Sequence, residues 1–488
     1  MMRRTNLLNW SIPFLTFLLA LLLFPTSSYN DSDTFWHIEN GRYMIEHKTI
    51  LHHAIHTFYG DSLPYIPHEY GFELIEAALY LLFGWPGIYL LTAVSFGVLM
   101  LGLYRLIKIS RLETGFEDMP FICTLILFPA GFWIYYVYFT SRPQMMSAFL
   151  IVWYFVWMRS FKMTGSLRYG VLMVLCSCSI ANIHAGVWPV IAVFSGMQIL
   201  ADLWERSLRV RHVIVYGAAA LAALVNPGGI RSITYLFVVT RHHYNHLINE
   251  WKPIDFLDWE NIPIVLMLLF FAYILPFSLH NKIFRFMMMA GIVYLGVTNY
   301  KQNLFLWLFV PYFAATSISY APGLRYLAKL RITPKPKNVA YGLAAGLVLN
   351  SIIVFAHPPQ VDDKNYPVDE MNYILDRQSN GTRPKVLSTY GTSGYAMYRG
   401  ADVLCDGRED PFITEASKSI FGWTAFERSM YGFSDKLPEI VNADQPDYLI
   451  IPIDSSPQHR KQWETAFGKP VFSGHYGFVY DIRSKPKD

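Results

Sequence analysis

The stretch LLLFPTSSYNDSDTFWHIENGRYMIEH, residues Leu21–His47, contains the transition on which the fold prediction depends. An apolar run ends at Pro25, and Asp31, Asp33 and His37 follow within a few residues. Carboxylates directly after an apolar span can cap the next helix, or they can form a reaction centre at a membrane surface. Choosing between these two interpretations requires the topology of the whole chain.

The composition is that of a polytopic membrane protein. Of the 488 residues, 53% are hydrophobic and only 16% are charged, whereas soluble proteins carry about 25% charged residues. The net charge of +4 gives no support to a nucleic-acid partner, and the four cysteines form no disulfide pattern. We predict about eleven transmembrane helices, near residues 10–27, 86–106, 119–139, 145–160, 169–187, 188–204, 212–226, 262–280, 285–299, 303–320 and 339–356.

The basic residues predict the orientation of these spans. Lys and Arg cluster in every second loop, for example at Arg3/Arg4 and at Arg159/Lys162/Arg168, and such clusters stay on the cytoplasmic side. We therefore expect a protein of the cytoplasmic membrane with its N-terminus inside and its C-terminus outside. The segment His68–Gly84 has an apolar stripe interrupted by glutamates, which predicts an amphipathic helix on the outer surface.

Two domains are predicted. Residues 1–356 form a transmembrane domain with outer loops at 28–84 and 226–261, and residues 357–488 form an extracytoplasmic α/β domain. In the second domain, β-like runs such as DYLIIPI alternate with amphipathic stretches such as SPQHRKQWETAF, a pattern typical of a small α/β fold.

With this topology, polar residues gather at the outer ends of the spans. They are Asp31, Asp33, His37, His68, Glu69, Arg142, Gln144, Asn182, His184, Glu250, Lys301 and Asn303. Taken singly, Asp33 could cap a helix and Arg142 could simply precede the proline that begins one. Taken together, ionisable groups at membrane depth are costly and indicate a functional site. Arg142 and Lys301 also lie on the side where cations are rare, which predicts an anionic partner such as a lipid-linked phosphate.

The motif D-S-D-T-F-W-H-I-x-x-G-x-x-x-x-x-H, residues 31–47, resembles the start of integral-membrane glycosyltransferases of the GT-C superfamily. Further motifs are similar to a group of bacterial relatives: HEY (68–70), RPQ (142–144), ANIHAG (181–186), NPGG (226–229), NEWKP (249–253), YPV (366–368) and DGRED (406–410). The resemblance implies sugar transfer from a polyprenyl-phosphate donor to an extracytoplasmic cell-envelope glycan or lipid. It also implies a catalytic acidic residue in the first outer loop, with Asp33 the first candidate and Asp31 the second.

The chemistry of such a transfer fits these residues. A base must take the proton of the acceptor hydroxyl, which Asp33 can do, and cations must hold the leaving phosphate, for which Arg142 and Lys301 are candidates. The remaining polar residues at the outer ends are predicted to contact substrate.

No metal site is predicted, because the histidines of EHKTILHHAIH and RHHYNH match no zinc spacing. A divalent cation at Asp31 and Asp33 stays open as an alternative. Two other functions also stay open. A transporter or flippase of a lipid-linked glycan should show paired half-repeats with broken helices, and a non-catalytic membrane scaffold should tolerate the loss of Asp33.

Overall fold

The structure is a computed structural model that describes residues 31–117, 121–239, 248–277, 282–329, 336–378, 381–420 and 422–483. The predicted span at 10–27 and the histidines of RHHYNH lie outside these residues. The described α-helices, in chain order, are α1 (Ser32–His47), α2 (Tyr70–Phe83), α3 (Trp85–Glu113), α4 (Phe121–Tyr138), α5 (Pro143–Thr164), α6 (Leu167–Ile183), α7 (Trp188–Trp204), α8 (Val210–Ala222), α9 (Ile230–Val239), α10 (Ile262–Ile274), α11 (Lys282–Thr298), α12 (Leu304–Ser317), α13 (Pro336–Ala356), α14 (Val368–Asp376), α15 (Tyr390–Tyr398), α16 (Ala425–Tyr431), α17 (Leu437–Asp444) and α18 (Pro457–Phe467).

The chain divides into two compact units. The membrane unit comprises Tyr89–His357, and the mixed unit combines the described residues before Tyr89 with those from Pro358 onward. The sequence-based division assigns the loop 28–84 to the transmembrane domain, whereas the structure groups its described part with the C-terminal segment. The reason is packing: the Phe35 ring on α1 contacts the rings of Tyr366 and Tyr395 at centroid distances of 4.9 and 5.0 Å.

The membrane unit is helical, and a described helix lies at the position of every predicted span after the first. Among the described residues, four segments are long and apolar enough to cross a membrane: Trp85–Glu113, Ala185–Trp204, Trp259–Phe277 and Lys337–Ala356. The coarse prediction of an integral membrane protein is therefore supported, while the number of about eleven spans stays a prediction. Helix α12 is apolar on all sides and buried along its whole length, as expected of a central helix. It packs against α4, α10 and α11.

The mixed unit contains a five-stranded sheet in the order β2-β1-β3-β5-β4. Its strands are β1 (Lys385–Leu387), β2 (Asp402–Val403), β3 (Tyr448–Pro452), β4 (Phe472–Ser473) and β5 (Gly477–Asp481). Strand β1 pairs in parallel with β2 and β3, and β5 pairs antiparallel with β3 and β4. Every predicted β-like run of the tail contains one of these strands. Helix α1 packs between α2 and α15, so the first outer loop and the tail share one core.

Candidate functional site

The two aspartates of the opening motif have different roles at the start of α1. Asp31 is the N-cap residue, and its Oδ1 accepts a hydrogen bond of 3.0 Å from the backbone N–H of Asp33. This satisfies one of the donors that every helix start leaves open. The helix-capping role that the sequence allows for Asp33 therefore belongs to Asp31. Asp33 lies in the first turn of α1, where the helix dipole favours a negative charge.

The Asp33 carboxylate is contacted by one group from its own helix and by one from a distant part of the chain. The indole Nε1–H of Trp36 donates to Asp33 Oδ1 at 3.1 Å. The backbone of Gly407, in the DGRED motif, lies directly against the same oxygen. The reaction-centre candidate of the first outer loop is thus in contact with the C-terminal segment.

The DGRED motif is fixed by its arginine. The Arg408 side chain is 2% exposed and donates to both carboxylate oxygens of Asp406, at 2.8 and 2.5 Å. It also donates to the Ile55 carbonyl at 2.9 Å and to Asn40 Oδ1 at 3.4 Å. Because the buried Arg408 guanidinium is hydrogen-bonded to all of these groups, it holds the DGRED segment in one conformation.

Next to Arg408 the backbone makes a strained turn. Glu409 has φ 52° and ψ −64°, and the N–H of Asp410 donates to the Arg408 carbonyl at 2.6 Å. This is a γ-turn with positive φ, a conformation that costs about 1–3 kcal/mol for a residue other than glycine. The surrounding contacts must hold it, as is common at functional sites.

One turn along α1 from Asp33, His37 is buried among glutamates. Its Nε2 lies 3.9 Å from Glu69 Oε2, and its Nδ1 lies 3.8 Å from Glu73 Oε1. His68 Nε2 lies 3.7 Å from the other oxygen of Glu69. Burial opposes protonation of His37, but the nearby carboxylates of Glu73, Glu69 and Glu76 outweigh it and raise the His37 pKa. His37, His68 and Glu69 are therefore brought together, and Glu73 joins them.

The raised His37 pKa predicts a pH-dependent stability. Protonated His37 stabilises the folded state fully below the ordinary histidine pKa of 6.5, and this contribution is lost as pH rises through the raised pKa. We expect the Tm of the wild type to fall over the pH range above about 6.5, and the Tm of His37→Asn to fall less. Thermal unfolding in detergent across this pH range measures the difference. His52→Asn, at an exposed histidine, is the control; equal slopes for wild type and His37→Asn contradict the prediction.

The membrane unit contains the second cluster of predicted residues. Arg142 Nη1 donates to Glu250 Oε1 at 2.7 Å, and Lys301 Nζ lies 3.2 Å from Glu250 Oε2. Burial favours the neutral form of Glu250, but the charges of Lys301 and Arg142 outweigh this effect and lower the Glu250 pKa to about 2. The sequence predicts a lipid-linked phosphate as the anionic partner of Arg142 and Lys301. In the structure, the side chain of Glu250 is the anion that both of them contact. The three groups together carry one net positive charge.

The other predicted residues of the membrane unit do not join the cluster at Glu250 in the contacts that follow. His184, which follows α6, shares a 3.0 Å hydrogen bond between its Nδ1 and Ser147 Oγ. Asn182 Nδ2 donates to the carbonyls of Cys178 and Val225, at 2.7 and 2.8 Å, which ties two chain segments together. Gln144 lies in the first turn of α5. Asn303 is fully buried, and its amide has no hydrogen-bond partner among the described residues.

Comparison with known proteins finds similarity at the level of the fold and not of the sequence. No protein-family model matches the sequence, and no curated protein is significantly similar to it. The crystal structure of ArnT from Cupriavidus metallidurans in the apo state is similar over 96% of this chain and 97% of that chain, with a TM-score of 0.53 and 12% sequence identity. The structure of the same protein bound to undecaprenyl phosphate is similar over 96% and 98%, with a TM-score of 0.55 and 12% identity. The chain has an ArnT-like fold.

At 12% sequence identity the similarity to ArnT is one of fold, and it agrees with the membrane-helical fold that the resemblance to GT-C glycosyltransferases implies. It does not test the individual site residues. Two residues next to the candidates were not selected from the sequence: Glu73, which sits in the apolar stripe of α2, and Gly407, which contacts Asp33. A glutamate within an apolar stripe is a signal that could have identified Glu73, whereas no local pattern distinguishes Gly407.

Within the described ranges of the chain, one group of three side chains has the spacing of metal ligands, at Asp363, Asp369 and His475. His475 Nδ1 lies 3.2 Å from Asp363 and 2.6 Å from Asp369. His475 is exposed and both aspartates are partly exposed, so a histidine salt bridge explains this geometry without an ion. A divalent cation at Asp31 and Asp33 stays a prediction.

Proposed function

We propose that the protein is a membrane glycosyltransferase that moves a sugar from a polyprenyl-phosphate donor to an extracytoplasmic cell-envelope glycan or lipid. The observation that supports this most is the ArnT-like fold over 96% of the chain, together with the fact that one such neighbour is bound to undecaprenyl phosphate. The orientation predicted from the basic loops puts the mixed unit, and therefore Asp33, on the outer side of the cytoplasmic membrane.

In this proposal Asp33 is the general base. As the acceptor oxygen forms its bond to the sugar carbon, Asp33 takes the hydroxyl proton, and the bond between that carbon and the phosphate oxygen breaks. The side chain of Asp33 is only partly buried, so an acceptor hydroxyl can reach it. The hydrogen bond from Trp36 restricts its orientation, which general-base catalysis requires.

Arg142 and Lys301 are the proposed partners of the donor phosphate. They are already brought to one carboxylate by the fold, and their excess of one positive charge over Glu250 suits an added anion. A guanidinium can bind two phosphate oxygens at once, which a lysine cannot. In this proposal Glu250 keeps the two cations in place before the donor binds, at the cost of competing with the phosphate.

The proposal is tested on the purified full-length protein in nanodiscs with a panel of labelled polyprenyl-phosphate sugars. We expect binding of at least one donor, followed by transfer or slow hydrolysis that releases polyprenyl phosphate. A folded protein that neither binds nor consumes any member of the panel contradicts the proposed function.

The same binding assay tests the phosphate contact. Loss of a hydrogen bond to a charged group costs about 1.5–3 kcal/mol, so Arg142→Gln should weaken donor binding about 10- to 100-fold. Arg231→Gln, which removes an exposed arginine of α9, is the matched control. Equal donor affinity of the two variants contradicts a role for Arg142 at the phosphate.

A further inference from the structure

Gly407 leaves just enough room for the carboxylate of Asp33. A Cβ atom added to Gly407 would lie 2.1 Å from Asp33 Oδ1 and 2.6 Å from Trp36 Nε1. These are the acceptor and the donor of the hydrogen bond that orients Asp33. Any side chain at position 407 must therefore displace both groups or shift the backbone.

The need for glycine at this position is steric. The backbone of Gly407 does not adopt the left-handed conformation that favours glycine, in contrast to Gly400 with φ 108°. Alanine can thus adopt the backbone conformation of Gly407, and the only obstacle is the space that Asp33 and Trp36 occupy.

Gly407 itself cannot move away easily. Its neighbour Arg408 is buried and hydrogen-bonded to Asp406 and to the Ile55 carbonyl, and the γ-turn at Glu409 follows directly. Because the loop is fixed on both sides, a clash displaces the end of the Asp33 side chain and the Trp36 indole rather than the loop.

We propose that Gly407 and Trp36 are positioning residues that fix the Asp33 carboxylate for proton abstraction, an inference that rests on the proposed function of Asp33. The C-terminal segment thereby contributes to the reaction centre of the first outer loop. A base must lie within about 2.6–3.2 Å of the atom that carries the proton. Displacement by about 1 Å can lower a rate about 100-fold.

The test is Gly407→Ala in the full-length protein. We expect kcat to fall about 100-fold, with the KM for the donor changed by less than about threefold. The folded state should persist with a slightly lower Tm, because the displaced atoms are side-chain ends. Gly391→Ala on α15 is the matched control, since nothing lies within 4 Å of a Cβ added there.

Trp36→Phe tests the other half of the contact. It keeps an aromatic ring in the core and removes the N–H that donates to Asp33. We expect a lower kcat and a shift of the acidic limb of the kcat–pH profile to higher pH, because a hydrogen bond to a charged carboxylate is lost. A loss of packing alone would lower the Tm without moving that limb.

A thermal double-mutant cycle tests the contact without any activity. Gly407→Ala should lower the Tm of the wild type more than that of Asp33→Ala, in which the crowded carboxylate is absent. Equal Tm shifts in the two backgrounds overturn the positioning role. So does a Gly407→Ala enzyme whose kcat equals that of Gly391→Ala, provided that Asp33→Asn is inactive. Either result leaves the proposed function intact. Full transfer activity of Asp33→Asn overturns the general-base role of Asp33 on which this inference rests, whereas a wild type that consumes no donor overturns the proposed function itself.

Discussion

Asp33→Asn is expected to lower the transfer rate by about 100- to 10,000-fold, the range that general-base catalysis contributes. Asparagine has the shape of aspartate and can still accept the hydrogen bond of the Trp36 indole, but it cannot take a proton from a hydroxyl. The fold and the affinity for the donor should therefore change little, and the loss should appear in kcat. Single-turnover transfer from a saturating labelled donor, together with donor binding and thermal unfolding, measures these three quantities separately.

Asp31→Asn is the matched control, since it makes the same chemical change two residues away. Asparagine is as good an N-cap residue as aspartate, so the Asp31 contact to the backbone N–H of Asp33 should survive. We expect nearly normal transfer. An inactive Asp31→Asn beside an active Asp33→Asn would reverse the two assignments. If both variants transfer like the wild type, neither aspartate is the base. If the wild type binds a donor but transfers no sugar, the transporter and scaffold hypotheses gain support.

Local elements of this chain could be predicted from sequence, because they depend on neighbouring residues. The predicted spans after the first correspond to described helices, and the β-like runs of the tail correspond to the strands of one sheet. The contacts that build the candidate site are of another kind. Glu250 lies 108 positions from Arg142 in the chain, and no periodicity or charge pattern reports which distant residue will approach. For the same reason, the sequence did not show that the loop with Asp33 shares a core with the tail.

Arg159 and Arg285 show how tertiary structure changes the meaning of a charge. In the sequence both belong to basic loop clusters that indicate the cytoplasmic side. In the structure they are 0% and 1% exposed and converge on Glu113, at the end of α3. Arg159 Nε lies 2.5 Å from Glu113 Oε1, and Arg285 Nη2 lies 3.3 Å from Glu113 Oε2. The hydroxyl of Tyr312 donates to Oε2 at 3.1 Å, so one carboxylate joins α3, α5, α11 and α12.

The second large effect is therefore expected for Glu113→Gln. The change keeps the size of the side chain but leaves two buried guanidinium groups without a counter-charge, and breaking a buried ion pair in this way costs about 3–5 kcal/mol. That is a large part of the roughly 5–15 kcal/mol by which a protein is stable. We expect a sharply lower Tm and a reduced yield of monodisperse protein in detergent.

Glu117→Gln, a few residues further along at an exposed position, should change stability by less than about 0.5 kcal/mol. The double variant Glu113→Gln with Arg285→Gln separates charge balance from a simple loss of contacts. Since it removes one of the two cations, it should be more stable than Glu113→Gln alone. If the second change instead lowers the Tm further, Glu113 does not act as the counter-charge of Arg285. Glu113 lies in the membrane unit and Asp33 in the mixed unit. If Glu113→Gln lowers the amount of folded protein and Asp33→Asn lowers kcat, stability and catalysis depend on different parts of the chain.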